Sequence, residues 1–208
     1  MDKVALVKTL ISVSPKLECE LDYKSNYQLL VAVILSAQCT DKRVNEVTKR
    51  LFAVAPDPDS MLSLGEDGLK QIIKSCGFFN NKAKNIMLMT RDLVERFNGV
   101  VPDTEDELLS LAGVGEKTAG VVMAVGFGKP AFPVDTHVFR LSKRLGLADE
   151  KTPTLTMKAL MREIPKELWI DAHHALIIHG RYVCKAIKPD CKNCKINGIC
   201  PNFNKGNC

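Results

Sequence analysis

The sequence has no long apolar run. Its longest uninterrupted one, Leu29 to Leu35, is seven residues, against the about 20 that a membrane-spanning helix needs. It also lies too deep in the chain for a signal peptide, so a soluble cytoplasmic protein is the default expectation. Aromatic residues are scarce, at 6% with one Trp. No segment alternates apolar and polar residues as a half-buried strand would, which leaves an all-α class. Low-complexity linkers and repeats of fixed period are missing too. A second domain must therefore arise by the chain leaving and returning, and 208 residues, 46% of them hydrophobic, suffice for one large or two small cores.

The eight cysteines do not read as the disulfide framework of a small secreted chain. Cys19, Cys39, Cys76 and Cys208 are scattered, and we expect the first three to be small core residues and Cys208 a frayed terminus. Cys184, Cys191, Cys194 and Cys200 crowd into one stretch, which points to a metal site. Net charge is +5, and residues 181–208 hold six basic residues against the single acid Asp190. The cysteine-rich tail thus carries all the excess charge, as either a solvated tail or a surface for a polyanion.

Punctuation by Gly, Pro, Asn and Asp divides the rest into helices. Ser25 and Gln28 have capping-box spacing before the apolar run, predicting a buried helix from about Asn26 to Ala37. Ala83, Ile86, Met87, Thr90, Leu93, Val94 and Phe97 repeat at helical spacing, with Asn80 or Asn81 as the expected cap and Gly99 beyond the end. Thr104 and Glu107 predict a capping box for a short helix to about Ala112. Another helix is expected from Glu116 to about Val125. Asp135 is a candidate cap for a helix through Leu145, stopped by Gly146. The last long helix is expected from about Lys166 to Tyr182.

Gly113-Val114-Gly115 joins two of these helices. One or both glycines must visit positive φ or admit a close backbone. Amides left free at such a turn, with the positive end of the helix beginning near Glu116, can hold a phosphate without reading a base.

The string Leu111-Ala112-Gly113-Val114-Gly115-Glu116-Lys117-Thr118-Ala119 resembles the endonuclease III branch of the helix-hairpin-helix base-excision DNA glycosylases. So do Leu35-Ser36-Ala37-Gln38-Cys39-Thr40-Asp41, Gly77-Phe78-Phe79-Asn80 with Lys82-Ala83, Val134-Asp135-Thr136-His137-Val138-Phe139-Arg140, His179-Gly180-Arg181-Tyr182 and the cysteine loop. They stand in family order across nearly the whole chain. The resemblance implies a helical barrel domain over 20–130 and an iron-sulfur domain from 1–19 and 131–208, with DNA in a cleft between them. Departures are Glu116, where a basic residue is common, Gly120, where Asn is common, and Cys39, where alanine is expected.

The resemblance also assigns roles. Lys117 is the nucleophile: a neutral amine attacks the anomeric carbon, expels the base, and as a Schiff base allows β-elimination of the 3′ phosphate. A lysine of ordinary pKa is neutral in only about four molecules per ten thousand at pH 7. Helix-start position and burial in a closed cleft are the expected means of lowering it. Asp135 is the family's carboxylate, helping to deprotonate the lysine and stabilise positive charge on the sugar, while also fitting a plain N-cap. His137 is expected to order its loop. Gln38 and Phe78 match the positions that enter the duplex and fill the gap behind an extruded nucleotide; Phe78 stands where leucine is common, and the plain alternative for Phe78 and Phe79 is core packing.

By count alone, four thiolates suit a tetrahedral zinc or a 4Fe-4S cluster. Intervals of six, two and five residues contain only one Cys-x-x-Cys pair, and this spacing favours the cluster, which the resemblance also implies. Lys188 and Lys192, among the lysines interleaving the ligands, are candidate phosphate contacts. The implied protein is a monomeric glycosylase and AP lyase acting on duplex DNA with an oxidised or ring-saturated pyrimidine or an abasic site. A glycosylase that stops after base removal is the near alternative, against which Lys117 stands; a noncatalytic DNA-binding module is the distant one.

Overall fold

The structure is a computed structural model describing residues 2–206. Its helices are α1 Lys3–Val13, α2 Asn26–Ser36, α3 Asp41–Val54, α4 Pro58–Ile73, α5 Phe79–Phe97, α6 Glu105–Leu109, α7 Glu116–Val121, α8 Thr136–Arg144, α9 Pro153–Glu163, α10 Trp169–Tyr182 and α11 Pro201–Asn204. No strand occurs among the described residues. None of their helices is long and apolar enough to cross a membrane. Two compact units form: Glu20–Lys129, and a second made of the chain up to Cys19 with the chain from Pro130 onward.

The first unit is built on α2. Leu29, Leu30, Val31, Ala32 and Leu35 have no exposed surface, and each large aliphatic side chain so buried contributes about 1.5–3 kcal/mol. Ser25 caps the helix by accepting from the Gln28 amide. The Gln28 side chain accepts instead from the Lys24 amide at 2.9 Å, so only half of the expected box forms. The amphipathic α5 packs Ile86, Met87, Met89 and Leu93 inward. Its start corrects the sequence expectation: Asn80 and Asn81 lie inside the helix, and the cap is Phe78, in a left-handed conformation with φ 55° and no side-chain cap. At the Thr104 start of α6 no box closes, because the Thr104 hydroxyl and the Glu107 carboxylate bond to each other. The next helix also differs, since α7 ends at Val121 and continues as a π-helical turn over Val122–Gly126.

The second unit packs α1, α8, α9 and α10 around Leu10, Phe132, Val138, Leu141, Leu160, Ala172 and Leu176. Asp135 caps α8, and Gly146 takes φ 66° after its end. The expected helix from Lys166 is a 3-10 turn over Lys166–Leu168 leading into α10. Of the scattered cysteines, Cys76 is buried, whereas Cys19 and Cys39 are only half-buried, which corrects the core assignment for those two. Cys208 lies outside the described residues.

Candidate active site and cysteine loop

The hairpin between α6 and α7 divides the work of its glycines. Gly113 has φ 77°, and a Cβ there would stand 2.8 Å from the Asn85 Cβ of α5. Both conformation and space therefore demand glycine. Gly115 has an ordinary φ of −101°, and a Cβ there would meet nothing within 4 Å. Its side is open. Val114 between them is buried and its amide donates to the Leu111 carbonyl at 3.2 Å. The start of α7 has no side-chain cap. Lys117 is exposed in its first turn, beside Glu116.

Two more predicted residues share this unit. Gln38 and Phe78 are exposed non-glycine residues at φ 53° and 55°. Such left-handed conformations are uncommon outside Gly, Asn and Asp. Phe78 is 65% exposed, which removes the core reading for it. Their turns adjoin: a Cβ on Gly77 would meet the Gln38 carbonyl at 3.5 Å. A lysine that sequence reasoning gave no role fixes this arrangement. Lys82 is 5% exposed and donates from Nζ to the carbonyls of Leu35 at 2.8 Å and Ala37 at 2.7 Å. Burial depresses its pKa, opposed by the nearby Cys76 and Cys39 thiols. The C-terminus of α2 is thus tied to the first turns of α5, the helix that also meets Gly113.

In the other unit, the half-buried Asp135 accepts the Val138 amide at Oδ1, 2.8 Å. This bond is the N-cap, worth about 1 kcal/mol. Just before it, the buried His173 shares a 2.8 Å hydrogen bond with the Pro133 carbonyl through Nδ1. Burial pulls the His137 pKa below its ordinary value, opposed by the charge of Asp135. A Cβ on Gly180 would meet the His137 Cβ at 3.0 Å, so α10 and α8 approach tightly here and a side chain would fit only if its neighbour gave way slightly.

Two arginines of α8 reach into the cysteine loop, and the sequence reading missed both. Arg140 Nη2 donates to the carbonyls of Gly180 at 2.9 Å and Cys184 at 3.0 Å. Arg144 donates to the carbonyls of Lys185 at 2.6 Å and Ala186 at 2.9 Å, and Nη1 stands 3.5 Å from the Cys184 Sγ. Their i, i+4 spacing was the available signal.

Cys184, Cys191, Cys194 and Cys200 line one pocket, so a single group placed there can be reached from all four. Cys194 is buried with Sγ 3.6 Å from the His179 Nε2. Cys184, Cys194 and Cys200 are free thiols. Among the described residues no three His, Cys, Asp or Glu side chains converge as one metal ion requires. Lys188 and Lys192 are exposed on the loop, Lys188 with φ 51°.

Comparison with known proteins identifies the family. Residues 31–166 match the HhH-GPD superfamily of base excision DNA repair proteins. The chain is 47% identical to endonuclease III of Haemophilus influenzae over 198 residues, covering 95% of this chain and 94% of that protein. It is 50% identical to endonuclease III of Bacillus subtilis over 187 residues, covering 89% and 85%. A solved structure of a trapped endonuclease III–DNA covalent intermediate superposes with a TM-score of 0.92 at 44% identity, covering 97% of this chain and 95% of that one. A thermostable thymine-DNA glycosylase shares the fold, with a TM-score of 0.81 at 23% identity. The chain belongs to the endonuclease III family of the HhH-GPD base excision repair superfamily.

Proposed function

We propose that this protein is a bifunctional DNA glycosylase and AP lyase that removes oxidised or ring-saturated pyrimidines and cuts the strand by β-elimination. The observation that carries the reading is the exposed Lys117 in the first turn of the helix leaving the Gly113–Gly115 hairpin. An amine so placed is open to an extruded nucleotide. Because Lys117 is exposed in the free protein, its desolvation comes from the bound duplex.

Lys117 attacks C1′, the new C–N bond replacing the glycosidic bond as the base departs with its electrons. The sugar ring opens to a Schiff base, which acidifies the C2′ proton. Loss of that proton expels the 3′ phosphate. Asp135 uses one oxygen for the α8 cap. Its charge assists deprotonation of the amine and offsets the oxocarbenium character of the sugar.

The hairpin backbone holds a phosphate at Gly113 and Gly115, the Val114 amide being taken by the Leu111 carbonyl, and Gly115 offers the open approach. Gln38 and Phe78 fill the vacated stack, which suits exposed side chains on adjoining turns. Cys184, Cys191, Cys194 and Cys200 hold a 4Fe-4S cluster, which when bound ties the loop together through four thiolates. Lys188 and Lys192 then meet phosphates as exposed cations of an ordered loop.

The test is borohydride trapping on a duplex with one abasic site. Wild type forms a covalent adduct and nicks the strand without added metal, while Lys117→Gln forms none and still binds. Trapping of the mutant at the wild-type level places the nucleophile elsewhere.

A further inference from the structure

Cys39 and Cys76 form a pair that the proposed chemistry leaves unused. The Cys76 thiol feels the neighbouring Cys39, although 36 residues separate them in sequence. Each follows a helix end: the Cys39 amide donates to Ser36 at 3.0 Å and the Cys76 amide to Ile73 at 2.8 Å. Cys39 comes directly after Gln38, and Cys76 lies two residues before Phe78. The backbones adjoin here, where a Cβ on Gly77 would meet the Gln38 carbonyl. Buried Lys82 pins the Cys39 side of this junction through the Ala37 carbonyl, 2.7 Å from its ammonium.

We propose that Cys39 and Cys76 are an oxidation site, a thiol pair whose reversible disulfide staples together the two turns that carry Gln38 and Phe78. The effect on repair rests on the reading that these side chains fill the stack. Disulfide formation does not depend on that reading: it rests on the two adjoining turns, which carry Cys39 and Cys76 next to Gln38 and Gly77.

The chemistry divides by access. Cys39 is half-buried and Cys76 has 1% exposure, so a small peroxide reaches Cys39 first. Its sulfur takes one peroxide oxygen to become a sulfenic acid, and the other oxygen leaves as water. The Cys76 sulfur then attacks the Cys39 sulfur, an S–S bond forms, and a second water carries away the sulfenic oxygen. Two thiols have given up two electrons and two protons, and one peroxide has become two waters. Burial, with the neighbouring Cys39, pushes the Cys76 thiol up to about 11. The second step is therefore the slow one, helped by the nearby Lys82 and Arg43 cations, which favour the thiolate.

Closing the pair fixes the two sulfurs at an S–S bond length of about 2.05 Å. The two turns are drawn together and lose independent movement. Excision of a stacked lesion needs both side chains to advance, whereas an abasic site has no base to replace.

The experiment treats full-length protein with diamide, which accepts the two hydrogens as a hydrazine, and maps peptides without reduction. The expected product is one Cys39–Cys76 cross-link, absent in Cys39→Ala. The single-turnover rate on a stacked lesion, relative to nicking at an abasic site, should fall about tenfold and return with dithiothreitol. Failure to form the cross-link overturns the oxidation site, and a cross-link that leaves the rate ratio unchanged overturns the staple. A loss that persists in Cys39→Ala comes from the cysteine loop and also overturns it. Gln38→Ala and Phe78→Ala run alongside: if neither changes the ratio, the stack-filling reading fails, while the cross-link stands on its own mass.

Discussion

Glycine at position 113 and lysine at position 82 are fixed by opposite physical demands, one for lack of bulk and the other for charge in a buried place. Gly113→Ala places a methyl within 2.8 Å of the Asn85 Cβ at positive φ, and strain of this kind costs about 1–3 kcal/mol. We expect a lower melting temperature together with weaker DNA binding. Gly115→Ala meets nothing, so its stability should stay within about 0.5 kcal/mol of wild type. If binding still falls, the methyl obstructs the phosphate; unchanged binding removes Gly115 from the interface. Lys82→Met strips two carbonyls of their donor, for an expected loss of about 1–3 kcal/mol. The pH dependence has a definite sign. Burial lowers the folded-state pKa of Lys82 below 10.5, so in the alkaline window below that value the unfolded chain binds more protons. Wild type should therefore gain stability relative to Lys82→Met as pH rises through that window, and a flat difference between the two melting curves would contradict the assigned burial.

At the scale of elements, side-chain caps were readable and backbone caps were not. Ser25 and Asp135 advertise helix starts because their oxygens accept the bond that begins the helix. The start of α5 was misplaced onto Asn80 or Asn81 because its true cap, Phe78, works through a left-handed backbone, which its residue type does not announce. The hairpin string was legible by resemblance, yet only the structure separates the demand on Gly113 from the freedom of Gly115. Arg140 and Arg144 escaped notice because their main partners are backbone carbonyls, which every residue carries. The exposed turn at Phe78 makes an element-scale expectation: Phe78→Ala should keep its stability within about 0.5 kcal/mol of wild type yet slow excision of stacked lesions more than abasic-site nicking. A large fall in melting temperature would return Phe78 to a packing role.

Across the molecule, α8 joins the cysteine loop to Asp135, the carboxylate of the proposed chemistry. That helix carries Asp135 at its start and the two loop-binding arginines further along. The loop itself has little core: Cys194 and Ile196 are buried, whereas Lys185, Ile187, Lys188, Lys192 and Lys195 are exposed. Arginine bonds fix its first residues and Asn197 Nδ2 donates to the Lys192 carbonyl at 3.3 Å; the proposed group on the cysteines would order the rest of the loop. Protein purified anaerobically should contain about four irons and four sulfides per chain; stoichiometric zinc without sulfide would refute the cluster. Removing the metal anaerobically should leave helical circular dichroism nearly intact, because both units keep their apolar cores. DNA affinity should fall for damaged and undamaged duplexes alike, and its salt dependence should become shallower by about 0.9 for each phosphate that the loop no longer neutralises. Lys188→Ala and Lys192→Ala in the metal-bound protein should each reproduce part of that change, and together approach the metal-free slope. If both variants keep the wild-type slope, the loop lysines do not touch phosphate, and the positive tail is only a solvated surface.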